Sequence, residues 1–219
     1  MRIKPTFLII SLIALIISFV LLGNFVSHHP VPLFDHKISL FVQKYHSDPL
    51  DKIMLGISIF GELPYSLLLV IIIAGLFYVF KYKREAYFVA SILLSGLIIL
   101  GVKNIIDRPR PTAFYVRLVE INRFHSFPSG HVLSYFLFFG FMIILMRELK
   151  DIPKALRRAV TYFSWFLILT IAFSRIYLGA HWFSDTVGGF ILGLICLFPL
   201  CYFYFKKKRG QVPEPIPVI

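Results

Sequence analysis

Residues 86–111 read AYFVASILLSGLIILGVKNIIDRPRP. From Ala86 to Ile106 the only charged side chain is Lys103, and it comes near the end of the run. A bilayer core about 30 Å thick is crossed by about 20 residues of apolar helix. Lipid offers the backbone no hydrogen-bond partner, so an apolar run of this length must close its bonds internally as a helix. The run then stops at Arg108-Pro109-Arg110-Pro111, where two prolines end the helix and two guanidinium groups stand at its mouth. One stretch thus gives the two themes of the chain: apolar spans, and cations gathered at one end of them.

Five further segments repeat the first theme. Together the spans run at about 7–22, 64–80, 86–106, 131–146, 159–178 and 186–205. The whole chain is 58% apolar and 16% charged, with a mean hydropathy of +0.80, whereas a water-soluble domain holds about a quarter charged residues. The reading is an all-α, polytopic bundle of six transmembrane helices over residues 1–209, followed by a mobile cytoplasmic tail, 210–219, that carries Pro213, Pro215 and Pro217. The net charge of +12 does not indicate nucleic acid, because the basic residues sit in short blocks between apolar runs and not on one folded polar face. Cys196 and Cys201 lie in one helical run, where they point in different directions, so neither a disulfide nor a metal pair is expected.

The basic blocks set the orientation. Arg2 and Lys4, then Lys81, Lys83 and Arg84, then Arg147, Lys150, Lys154, Arg157 and Arg158, then Lys206 to Arg209 fall at alternate ends of the six spans. Cytoplasmic loops carry the excess of Lys and Arg, which puts both termini in the cytoplasm. The first span, basic before its apolar run, lacks a small-residue cleavage site after Leu22 and reads as a retained helix. In the first outer loop, 23–62, Phe34, Ile38, Phe41, Val42 and Tyr45 follow helical spacing, as do Leu50, Ile53, Met54 and Ile57 after Asp48-Pro49. Two short interfacial helices are expected there, with packing on the outer rim preferred over a gating role.

The second theme concerns chemistry. Ionisable residues inside membrane helices are costly and mark function. Here Lys103, Arg110, His131, Arg175, His181 and Asp185 all fall at one level near the outer face. Lys103, Arg110 and Arg175 packed together call for an anion, and phosphate suits them, since Arg pairs with two oxygens and Lys adds a compact charge. Ser129 caps the helix that follows, and Gly130 lets backbone N–H groups approach an anion at the positive helix end. His181 and Asp185, four apart, share a face: the carboxylate takes the imidazole N–H and leaves the other ring nitrogen as a nucleophile. His131 is placed to protonate the departing oxygen.

These residues carry a resemblance. Lys103 with Arg110-Pro111, then Pro128-Ser129-Gly130-His131, then Ser174-Arg175 with His181 and Asp185 resemble the three motifs of the type 2 phosphatidic acid phosphatase family, which shares its site with vanadium haloperoxidases and bacterial acid phosphatases. The motifs span residues 103–185, and the six-span layout extends the likeness over nearly the whole chain. The resemblance implies that His181 is the nucleophile, Asp185 its orienting partner and His131 the acid. It implies that Lys103, Arg110, Ser129, Gly130 and Arg175 hold the phosphoryl oxygens, and that neither metal nor other cofactor takes part. The implied substrates are phosphatidic acid, phosphatidylglycerophosphate, undecaprenyl pyrophosphate or related lipids, in a bacterial cytoplasmic membrane with the site on its outer face.

Other readings carry less. Transfer of the phosphoryl group to an acceptor other than water uses the same intermediate. A transporter of phosphate-bearing solutes is disfavoured, because no charge lies at mid-depth and no paired broken helices are evident. Arg108 is outside the motifs and is expected only to bind lipid phosphates. His28, His29, His36, His46 and His125 show no metal-ligand spacing and read as loop histidines, His125 being close enough in sequence to touch substrate.

Overall fold

The computed structural model describes residues 5–121 and 124–209. The basic residues Arg2 and Lys4 and the tail from 210 onward lie outside them. Helices α1 (Pro5–His28), α2 (Leu33–Val42), α3 (Asp48–Ser58), α4 (Leu63–Val79), α5 (Lys83–Ser91), α6 (Ser95–Ile106), α7 (Gly130–Glu148), α8 (Lys154–Tyr177) and α9 (Phe183–Arg209) follow in order, with 3₁₀ turns at Ile59–Gly61 and Ile92–Leu94. The described residues contain no strand.

Among the described residues five stretches are long and apolar enough to cross a bilayer: Thr6–His28, Lys83–Ile106, Gly130–Glu148, Lys154–Tyr177 and Phe183–Lys206. The pair Asp48–Gly61 and Leu63–Val79, bent by 56° at its break, makes a sixth if it is counted as one broken span. The described residues thus hold five or six spans against the six expected, the one in question being the second, where α4 (Leu63–Val79) reaches the needed length only together with α3. The first span is longer than its apolar core suggested, because α1 continues to His28. The third is α5 and α6 joined through the 3₁₀ turn Ile92–Leu94.

Helix α7 is the centre. Of its apolar stretch 61% is buried by protein, against 6% for α1, whose side chains face outward to lipid. Leu133, Tyr135, Phe138, Phe141 and Leu145 of α7 pack with Leu167 and Ile171 of α8 and Leu192 of α9 in one apolar core. Phe88 and Phe141 close round Tyr204 by edge-on ring contacts, and Tyr204 donates to Glu85 at 3.0 Å. Arg84 donates to the Tyr204 carbonyl. The basic α4–α5 turn thus lies beside the end of α9, at the end of the bundle remote from the cationic residues of the motifs.

The two loop helices form where their spacing placed them. Helix α3 starts on Ser47, whose side chain accepts from Leu50 N–H, with Pro49 in its first turn. Helix α2, however, turns its polar face inward. Its buried residues are Asp35 and Ser39, with Gln43 buried just beyond, while Leu33, Phe34, Leu40 and Phe41 are exposed. The apolar periodicity was read correctly as a helix, but the apolar side faces outward, as expected where the surrounding medium is lipid and the interior is a polar site. Gln43 donates to the carbonyls of Arg117 (2.7 Å) and Tyr177 (2.8 Å) and accepts from Arg117 N–H (3.0 Å). Asp51 of α3 receives Arg117 at 2.9 Å and Tyr177 hydroxyl at 2.7 Å. These bonds fasten the first outer loop over the segment 107–129 and the end of α8.

Candidate active site

Four stretches of chain converge at the end of the bundle away from the basic turns: the end of α6 with 107–129, the start of α7, the end of α8, and the turn 178–182 with the start of α9. Gly179 makes that turn possible. Its φ is +70°, and a Cβ there would stand 2.3 Å from the Arg117 carbonyl oxygen, so only glycine fits. The turn delivers His181, 1% exposed, directly against the cations.

His181 Nδ1 lies 3.4 Å from Asp185 Oδ2, one helical turn on. Its Nε2 lies 3.3 Å from Arg110 Nη1. A guanidinium can only donate, so Nε2 is the accepting nitrogen and the ring proton sits on Nδ1, toward the carboxylate. Burial, and then the charges of Arg110, Lys103 and Arg175, push the His181 pKa well below its ordinary value. A neutral imidazole with its lone pair aimed into a cationic pocket is what a nucleophile requires.

Asp185 is held on all sides. It accepts from Trp182 N–H at 2.8 Å, from the Ser126 hydroxyl, and from Arg108 Nη1 at 2.5 Å. Arg108 is the residue that motif reading missed. It does not reach lipid phosphates: it is 1% exposed and bridges Asp185 to Asp35 of α2, the latter at 2.7 Å. Asp35 also takes Ser184 N–H at 2.8 Å and the Ser184 hydroxyl at 2.5 Å. The usable signal was pairing: a buried Arg needs carboxylates, and Asp35 is the acidic residue on the inward face of α2.

Lys103, Arg110 and Arg175 all stand within electrostatic reach of His181. Lys103, buried, donates to the carbonyls of His125 and Ser126. Arg110 donates to the carbonyls of Phe124 (2.5 Å) and Ala180 (2.7 Å). Burial, and then Arg175, lower its pKa to about 10, which leaves it a cation at neutral pH. Arg175, fully buried, forks onto Glu120 with bonds of 2.7 and 2.6 Å, while its Nε has no partner among the described residues. The sequence foresaw Arg175 in the cluster but not this carboxylate.

Ser129, fully buried, caps α7 through Val132 N–H at 3.5 Å, and its own N–H donates to the Asp185 carbonyl at 3.0 Å. Gly130 opens α7, where a Cβ would meet only Ile99 at 3.7 Å. His131, in the first turn of α7, has its Nε2 3.1 Å from Glu62 Oε1. Its ring rests on the Gly61 backbone so closely that a Cβ at Gly61 would stand 2.1 Å from it. Neither Glu62 nor Gly61 was foreseen. His125 pairs with Asp107 at 2.7 Å on the surface, its side chain 43% exposed. Beside His131 and Arg175 lies a cavity of about 410 Å³, lined by Glu62, Glu120, Ser58, Leu55, Ile59 and Ile121 among others. Among the described residues no three His, Cys, Asp or Glu side chains gather as metal ligands do.

A helical membrane bundle thus gathers two imidazoles, a carboxylate and three cations at one polar end. The profile of the PAP2 superfamily matches residues 84–209. The chain belongs to that superfamily. It is 30% identical over 210 residues to phosphatidylglycerophosphatase B of Bacillus subtilis (strain 168), a match that covers 90% of this chain and 96% of the relative. It is 30% identical over 138 residues to lipid A 4'-phosphatase of Porphyromonas gingivalis, covering 56% of this chain and 55% of that one. The crystal structure of a transmembrane PAP2 type phosphatidylglycerolphosphate phosphatase from Bacillus subtilis superposes with a TM-score of 0.80 at 25% identity, over 91% of this chain and 98% of that one. That of Aquifex aeolicus LpxE gives 0.58 at 20% identity, over 76% and 93%, and is a likeness of fold. The protein is thus an integral-membrane lipid phosphatase of PAP2 type.

Proposed function

We propose that the protein hydrolyses the terminal phosphate of a membrane lipid through a phosphohistidine at His181, without a metal. The single observation that supports this most is the arrangement of the two His181 nitrogens, one on Asp185 and one on Arg110. His181 Nε2 forms a bond to phosphorus while the bond from phosphorus to the lipid oxygen breaks. The electron pair of that bond stays on the lipid oxygen, which takes the proton of His131 and leaves as an alcohol. Water then attacks phosphorus, gives its proton to His131, and inorganic phosphate departs as the N–P electron pair returns to His181. Lys103, Arg110 and Arg175 neutralise the phosphoryl oxygens, and the Ser129–Gly130 backbone at the start of α7 adds N–H donors. Asp185 keeps the His181 proton on Nδ1.

Phosphatidylglycerophosphate is the first substrate to test, after the Bacillus subtilis relative phosphatidylglycerophosphatase B, with phosphatidic acid and a polyprenyl diphosphate beside it. The bilayer holds residues 1–209 as one unit with both termini in the cytoplasm and the site on the outer face. The basic turns at the far end of the bundle support that orientation. The experiment is release of phosphate from these lipids by detergent-solubilised protein. Full activity in EDTA and its loss in His181→Ala are the expected results. Strict dependence on an added divalent metal, or undiminished turnover by His181→Ala, overturns the mechanism.

A further inference from the structure

We propose that the cavity beside His131 and Arg175 receives the leaving part of the lipid, and that Glu62 and Glu120 restrict it to a neutral alcohol. The proposal rests on the phosphatase reading above and narrows it to phosphomonoesters over diphosphates.

The position follows from the chemistry. In an in-line displacement the nucleophile and the leaving oxygen lie on opposite sides of phosphorus. His181 is the nucleophile, so the leaving oxygen points away from it and toward the acid, His131. Beyond His131 lies the cavity: His131 Nε2 meets Glu62, Glu62 lines the cavity, and so does Glu120, which holds Arg175. Leu55, Ile59 and Ile121 continue the lining. All three are exposed at the rim, where the acyl or prenyl chain enters from the bilayer. The cavity is thus polar at the reacting end and apolar at the mouth, the profile of a lipid alcohol.

Its polar end presents two carboxylates with their donors already engaged, Glu62 with His131 and Glu120 with both Nη atoms of Arg175. A phosphomonoester leaves an alcohol, which donates its hydroxyl to a carboxylate. A diphosphate leaves a lipid monophosphate, whose anionic oxygens would stand against Glu62 and Glu120, and like charges at contact distance in a partly desolvated site repel strongly.

The test compares a prenyl monophosphate with the diphosphate of the same chain, so that the tail cancels. The wild-type protein should favour the monophosphate at least tenfold in kcat/KM. Glu120→Gln and Glu62→Gln should each narrow that preference at least threefold, and raising the salt concentration should narrow it in the unmutated protein, where folding is not in question. Equal or better use of the diphosphate by the wild type overturns the proposal, as does a preference unmoved by both substitutions and by salt. Absence of phosphate release from either lipid would instead strike the phosphatase reading on which the proposal stands.

Discussion

His181 and His131 stand at the same end of the bundle, yet their surroundings differ at every level. His181 leans on Asp185, which is fully buried and receives Trp182, Ser126 and Arg108; Arg108 in turn is clamped by Asp35 from α2. Three separate pieces of chain, α2, the segment 107–129 and the turn into α9, therefore fix His181. His131 rests on the Gly61 backbone and, among the described residues, has Glu62 as the polar partner of its ring, a side chain 42% exposed at the bend between α3 and α4. The difference fits the work proposed for each. A nucleophile profits from a fixed position, since small misplacements are costly in rate. An acid that must meet a leaving oxygen needs an open side.

The closed side breaks most severely at Arg108. Arg108→Ala leaves Asp35 and Asp185 buried without their common cation, and losing one partner of a buried pair costs about 3–5 kcal/mol. We expect a marked fall in the thermal unfolding midpoint in detergent and about a hundredfold or greater loss of phosphate release. Arg108→Lys should recover only part of both, because an ammonium cannot fork between two carboxylates. A midpoint and a turnover close to wild type in Arg108→Ala would show that the nucleophile does not depend on this clamp.

The open side is probed at Gly61. The added methyl of Gly61→Ala would stand 2.1 Å from the His131 ring, so the ring must shift, and general acid catalysis is worth about a hundredfold or more when the proton donor is in place. We expect kcat to fall about tenfold with helix content retained. Gly75→Ala on α4, where nothing lies within 4 Å, serves as the control. Unchanged kcat in Gly61→Ala would mean that the seat of His131 is not set by this contact.

The same contrast explains what could be read in the sequence. Spans are legible because lipid imposes length and apolarity on each helix separately, and the motif residues are legible because phosphate chemistry demands particular groups at the span ends. Arg108, Asp35, Glu62 and Glu120 were not, for a common reason. Each acts through a partner distant in the chain, as Arg108 does with Asp35 and Asp185, and pairing across such distances leaves no periodicity. The inward polar face of α2 was equally hidden: spacing gives a helix its apolar side, but which side faces the bundle depends on what the bundle offers.

The mildest expected effect concerns pH and tests whether charge keeps the nucleophile ready. His181 has its pKa depressed in the folded protein, first by burial and then by Arg110, Lys103 and Arg175. The neutral imidazole therefore persists below pH 6.5, where an unfolded His is already charging. Stability from this group is present above that value and is lost as pH falls toward the folded-state pKa. In activity, the acid limb of kcat/KM that reports His181 lies below 6.5. Arg110→Gln removes the leading charge after burial and should move that limb upward, toward 6.5. Lys103→Met should move it in the same direction by less, in keeping with its later rank among the causes. Both substitutions also weaken phosphate binding, so the plateau will fall; the informative quantity is where the limb lies, read from the pH profile of each variant on one substrate. A limb that stays in place in both, or moves to lower pH, would mean that burial alone holds the proton off Nε2 and that the cations serve only the phosphate.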